Sequence, residues 1–167
     1  MAPSIKLSVP GTLRYRPVAV RVVAEAARMV SQALGTNSST ADEDATADTK
    51  IEVRHPFDTA VVSAFMEIFN NVAIHAYQRR EVGMIDLVIT VSEHELVIEI
   101  KDQGAPFDIA KVAALPTELD EASLPEGGMG IHIAKTMLDE MTYEPGPPNH
   151  WRLCKRLHAT QVASGRS

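Results

Sequence analysis

The run Glu67-Ile68-Phe69-Asn70-Asn71-Val72-Ala73-Ile74-His75-Ala76-Tyr77 must serve both as a core helix and as something more. Phe65, Ile68, Phe69, Val72 and Ala76 recur at helical spacing and form one apolar face. Glu67, Asn71 and His75 are spaced by four. At about 3.6 residues per turn, each such step drifts only about 40° around the axis, so the three make one polar stripe beside that face. Polar groups along the edge of a buried helix are costly unless something partners them, and a bound ion or ligand is one such partner. The pattern predicts a helix over 59–78, with Asp58 as its N-cap.

The rest of the chain arranges itself around this helix. Ile5 to Val9 alternates as a strand does, and Pro10-Gly11 breaks it. Pro17 suits a first helical turn, and Val18 to Leu34 carries a helical pattern stopped by Gly35. Residues 36–50 are small, acidic and non-periodic, which predicts a mobile loop. Ile51 to Arg54 is a short strand or a helical approach, ended by Pro56. Asp86 to Val91 and Glu95 to Lys101, rich in Val and Ile, predict two strands joined at Ser92-Glu93-His94. Residues 105–126 are irregular; Gly127-Gly128-Met129-Gly130 then opens a helix to about Glu140. Met141 to Glu144 and Trp151 to Leu157 predict closing strands around Pro145-Gly146-Pro147-Pro148. This order predicts one domain over 1–167 in the α/β class: a two-layer sandwich, helices on one face of a mixed, largely antiparallel sheet.

Composition narrows the function classes. With 167 residues, 45% hydrophobic and 23% charged, the chain reads as one globular domain. Its formal net charge of −6 argues against general nucleic-acid binding, although Arg14, Arg16, Arg21 and Arg28 could form a local basic face for an acidic partner. The start lacks the plan of a signal peptide, and no run of about 18 apolar residues occurs, so a cytoplasmic protein with no membrane span is expected. The single cysteine, Cys154, excludes an internal disulfide and reads as a small buried apolar residue. Six histidines without ligand spacing give no zinc site. Trp151 reads as sheet packing and Met129, Met137 and Met141 as core filler, with Met129 placed to touch a ligand. His75 reads as a helix-end histidine satisfied by local carbonyls.

Three constellations carry chemistry. Glu67 can accept a proton from a hydroxyl or water, and an Asn71 side-chain oxygen one turn on can ligate Mg²⁺, a hard cation that uses few protein ligands plus phosphates. Asn70 is a rival ligand, disfavoured by its spacing from Glu67. Asp102-Gln103-Gly104 closes a strand, where a carboxylate can accept from an exocyclic amine and a residue without Cβ permits close approach. Gly127-Gly128-Met129-Gly130 at a helix start offers bare N–H groups and the positive dipole end to an anion. It matches neither the Walker loop nor the dinucleotide fingerprint. Each alone has a bland reading: a wet helix face, a turn, a hinge.

Taken in order, Glu-x-x-x-Asn-x-x-x-His-Ala on a helix, Asp-x-Gly after a strand and Gly-Gly-Met-Gly before a helix resemble the GHKL ATPase superfamily with its Bergerat-type ATP-binding fold. Within it the chain most resembles the bacterial anti-sigma-factor serine/threonine kinases, over nearly its whole length to about Leu157. The short lid, 105–127, and Asp-Gln-Gly-x-x-Phe-Asp at 102–108 carry that closer likeness. The resemblance implies ATP and Mg²⁺ as cofactors. It makes Glu67 the base or water positioner, Asn71 the metal ligand and Asp102 the reader of the adenine amine, with Gly104 beside it. Gly128 and Gly130 would contact the phosphates, with Met129 between them, and Arg21 would contact partner proteins. The implied partners are a STAS-domain antagonist, phosphorylated on Ser or Thr, and a sigma factor held inactive; the implied assembly is a homodimer.

The chain departs from that pattern in three places. Pro148-Asn149-His150 stands where the superfamily often has Gly-Thr, whose threonine assists the adenine-reading aspartate. Lys111 is the single basic residue of the lid. The acidic segment 36–50 reads as an insertion, and 158–167 as a flexible tail. These departures keep two other readings open, a non-catalytic regulatory module of the same fold and a detached histidine-kinase catalytic domain.

Overall fold

The computed structural model describes residues 1–33, 55–77, 83–108, 110 and 128–158. The segments 36–50 and 51–54, most of the lid 105–127 with Lys111 and Gly127, and residues 159–167 lie outside them. In chain order the elements are β1 (Ser4–Pro10), a 3-10 turn (Leu13–Tyr15), α1 (Arg16–Ala33), α2 (Pro56–Asn71), a π-turn (Val72–Ala76), β2 (Met84–Val91), β3 (Glu95–Asp102), α3 (Met129–Met137), β4 (Glu140–Glu144) and β5 (Asn149–Arg156).

The five strands form one sheet in the order β1-β2-β3-β5-β4. All four pairings are antiparallel, so the expected mixed character is absent among the described residues. Strand alternation explains the layering. Leu7, Leu87, Ile100, Trp151 and Tyr143 lie side by side across the sheet, as do Ile5, Ile89, Ile98, Leu153 and Met141. These rows face the helices and build the core with Val23, Val30, Phe57, Phe65, Ile68, Phe69 and Ile131. The opposite face is polar, with ion pairs such as Arg156–Glu95 at 3.1 Å and Arg152–Glu140 at 3.3 Å. Cys154 lies on that face yet is fully buried, below Arg156, Glu95 and Glu140.

The core-facing period places the site. Leu96, Ile98 and Ile100 point inward, so Asp102, two residues further, points inward as well. Its partner across the β3–β5 ladder is Asn149, and both are about 2% exposed. A polar pair thus ends a wholly apolar row.

The central helix starts earlier than its sequence pattern predicts. Pro56 occupies its first turn and His55 caps it, accepting the Phe57 N–H on Nδ1 at 3.1 Å, so Asp58 is not the cap. Asp58 lies inside the first turn, buried, with a hydrogen bond to Ser31 of α1. Regular helix ends at Asn71, and the chain continues as a π-turn whose N–H of Tyr77 reaches Val72 O at 3.4 Å. Such π-turns concentrate at functional sites. The continuous helix Pro56–Ala76 has the length and apolar composition to cross a bilayer, but its large side chains are buried in this core.

Tyr77 ties the helix end to the sheet. Its hydroxyl donates to Met84 O at 2.9 Å and accepts from Gln103 N at 3.1 Å. Gly11 and Gly83 leave room for its ring, which a Cβ at either position would strike. The last helix also differs from expectation: α3 stops at Met137, where Leu138 turns extended, rather than near Glu140. Glu140 already belongs to β4, and its pairing with Cys154 of β5 removes the helical option.

Candidate functional site

The expected site residues fall into two adjoining groups. The first lines a pocket walled by Asn71, Val72, His75, Ala76, Asp102, Ala105, Pro106, Phe107, Tyr143, Asn149 and Trp151. Asn71 and Asp102 therefore share one cavity. Asn71 is buried, and its Nδ2 has no hydrogen-bond partner among the described residues. An unpartnered buried amide lining a cavity points to a missing ligand, since nearly all such groups in folded proteins are satisfied. Asn70, its rival, is engaged: its Oδ1 accepts from Arg16 Nη1 at 2.9 Å.

Asp102 is held firmly. Its Oδ1 accepts from Gly104 N and from Asn149 Nδ2, both at 2.9 Å. Burial raises its pKa above the ordinary carboxylate value, and the bonds from Asn149 and Gly104 partly oppose that rise. The departure at 148–150 therefore has a structural answer, because Asn149 supplies the side-chain donor that the missing threonine left in question. Asn149 Nδ2 also donates to Gly104 O at 2.9 Å, while its Oδ1 accepts from Gly146 N at 3.1 Å and from Tyr143 Oη at 3.3 Å. Tyr143 Oη in turn accepts the Phe107 N–H at 2.7 Å.

Gly104 does not line the cavity itself. Its missing Cβ makes room for the backbone of Ala76, which a methyl group would strike, and Ala105 N donates to Ala76 O at 2.8 Å. The glycine thus lets the end of β3 dock on the π-turn that carries His75 and Ala76. His75 is exposed at the pocket and makes no hydrogen bond among the described residues, so the expected carbonyl partners are not there. His75 lies within the π-turn. Phe107, Tyr143 and Trp151 form an aromatic wall, with ring centroids of Tyr143 and Trp151 4.3 Å apart.

The second group lies at the start of α3. Gly130 packs on the carboxylate of Glu67, whose Oε2 lies where a Cβ would stand. Gly128 caps the helix, and the first bond of its ladder runs from His132 N to Gly128 O at 3.1 Å. The N–H groups before His132 therefore have no intrahelical partner. Met129 is 44% exposed, so it does not fill the core as expected, while Met137 and Met141 do pack against it. Glu67 stands one helical turn before Asn71, which makes the two groups neighbours. Arg21 lies apart, exposed on α1 and without a hydrogen bond or ion pair among the described residues.

No group of three or more His, Cys, Asp or Glu side chains gathers to hold a metal among the described residues. Sequence reasoning did not name Tyr143, and it met Asn149 only as a departure at the Gly-Thr place and Phe107 only within a motif. That Asn149 itself supplies the donor to Asp102 follows from their pairing across the β3–β5 register.

Comparison with known proteins agrees with this geometry. A family model described as "Histidine kinase-like ATPase domain" matches residues 13–155. An anti-sigma F factor of Clostridium novyi is 30% identical over 95 residues, 57% of this chain and 66% of the relative. An anti-sigma F factor of Clostridium botulinum is 33% identical over 85 residues, 50% of this chain and 59% of the relative. A serine-protein kinase RsbW of Bacillus cereus is 32% identical over 82 residues, 47% of this chain and 51% of the relative. The matches thus span from about half to about two thirds of these relatives. This chain belongs to the histidine kinase-like (GHKL) ATPase domain family.

Proposed function

We propose that this chain is an Mg-ATP-dependent protein serine/threonine kinase and anti-sigma factor. It phosphorylates a Ser or Thr on a STAS-type antagonist and, in the cytoplasm, sequesters a sigma factor as a homodimer. One observation carries the reading: Asn71 and Asp102 line one cavity, and Glu67, a turn away, lies against the glycine-rich start of α3.

In this reading Asp102 accepts a hydrogen bond from the exocyclic amine of adenine, beside the aromatic wall of Phe107, Tyr143 and Trp151. Gly104 keeps that floor in place by docking on Ala76. The bare N–H groups at Gly128, Met129 and Gly130 receive phosphate oxygens at the positive end of the α3 dipole. Asn71 Oδ1 would hold Mg²⁺, which when bound neutralises phosphate charge during transfer. Glu67 takes the proton of the acceptor hydroxyl. Arg21, exposed on α1, is available to a bound protein.

The test is incubation with labelled ATP, Mg²⁺ and the STAS proteins encoded in the same genome. Label appearing on a Ser or Thr of one of them is expected. Absence of label on all, with no ATP binding at millimolar nucleotide, would leave the non-catalytic module as the answer. One motive for that alternative, the missing donor to Asp102, is removed by Asn149.

A further inference from the structure

The geometry points to Asn149 as the positioning residue that makes this pocket selective for a base carrying an exocyclic amine. The inference rests on the ATP-site reading above and adds to it a residue and a specificity.

The orientation of the Asn149 amide is not arbitrary. Its Oδ1 faces the N–H of Gly146, a group that can only donate, so its Nδ2 must face Asp102. There it meets only acceptors: Asp102 Oδ1, Gly104 O and, more distantly at 3.5 Å, Ala105 O. Tyr143 Oη supports Oδ1 from the other side and is itself anchored to Phe107 N. Asn149 and Asp102 are cross-strand partners and are almost wholly buried, so neither side chain can swing away. Among the described residues the network engages Oδ1 of Asp102 and leaves that carboxylate's other oxygen unused. The other oxygen is left as the acceptor for a ligand.

A carboxylate fixed in this way has one chemical preference. It accepts from an amine and repels a carbonyl oxygen placed at the same point of the base. Without the Asn149 donor only the Gly104 N–H holds Oδ1, and the carboxylate is free to rotate its second oxygen off the line to the ligand. Discrimination between an amine and a carbonyl at that position would then fade.

The experiment measures affinity for adenosine triphosphate and inosine triphosphate by calorimetry, with Mg²⁺, in the wild type, Asn149→Ala and Tyr143→Phe. The two nucleotides differ in bearing an amine or a carbonyl at position 6. Wild type is expected to prefer the adenine nucleotide by at least about tenfold, as loss of a bond to a buried charged group implies. Asn149→Ala should lose most of that ratio while inosine triphosphate affinity changes by less than about threefold. Tyr143→Phe, which removes only the supporting hydroxyl, should lose part of it, and decides the matter if Asn149→Ala does not fold. A purely structural Asn149 would lower both affinities or the melting temperature and leave the ratio alone. Intact adenosine triphosphate binding with an unchanged ratio in the folded variant overturns this inference only. A wild type that binds neither nucleotide overturns the ATP-site reading and this inference with it.

Discussion

Gly130, in the first turn of α3, packs directly on the carboxylate of Glu67 in α2, so that no side chain fits between them. Gly130→Ala therefore separates catalysis from stability. Alanine is the better helix former by about 1 kcal/mol, and the group it meets is the far end of a flexible side chain. The melting temperature should hold or rise. The Glu67 carboxylate must rotate away, and phosphate transfer should slow by about tenfold or more through misplacement alone. Glu67→Gln should slow transfer further while nucleotide binding persists. Single-turnover transfer beside a thermal melt tests both, and a normal rate in Glu67→Gln removes it as the base.

Asn71→Ala should cost little stability. The volume lost is offset by removal of a buried donor that has no partner among the described residues, leaving a net change within about 1 kcal/mol. Nucleotide affinity measured with Mg²⁺ should fall, and affinity measured with a chelator should not. Titrations under the two conditions decide it: equal loss in both contradicts the ligand role, as does no loss in either.

Gly104→Ala acts on the fold first. The new methyl group meets the carbonyl of Ala76, which is backbone and cannot give way cheaply. Destabilisation of about 1–3 kcal/mol is expected, as for other overpacked positions. Urea unfolding measures it, and an unchanged midpoint would mean that β3 and the π-turn separate more easily than their contact suggests.

Asp58 should make the protein more stable as pH falls over part of the acid range, the reverse of the common carboxylate pattern. Burial raises its pKa, against smaller opposing effects from the Ser31 hydrogen bond, His55 and Arg28, and its Oδ1 has no partner among the described residues. A folded-state pKa above the unfolded one means the folded state binds the proton more tightly. The penalty is then full above the folded pKa and is relieved as pH falls through it toward the unfolded value. Asp102 has the same sign. Asp58→Asn should raise stability at neutral pH, by an amount on the order of 1 kcal/mol, and flatten that dependence. Denaturation at pH 5 and pH 7.5 measures both effects, and a destabilised variant at neutral pH would contradict the assignment.

Elements with strong internal signals are legible in the amino-acid order alone. Period-two alternation marks β1, β2 and β3, and helical spacing marks α1 and α2, because each depends on which face of a single element is apolar. The polar intrusions into those patterns are legible for the same reason: Glu67 and Asn71 break an apolar helix, and Asp102 ends an apolar strand. Element ends are less so. Pro56 moves the start of α2 to His55, and strand pairing of Glu140 cuts α3 short, since an end is set by whichever neighbour captures the backbone. What the sequence by itself determined is thus the set of elements and the residues out of place within them. What only the tertiary structure decided is which residues meet. The β3–β5 register put Asn149 opposite Asp102, α3 laid Gly130 on Glu67, and the end of β3 docked on Ala76. Those contacts join residues far apart in the chain, and no local pattern records them, because they follow from how finished elements pack.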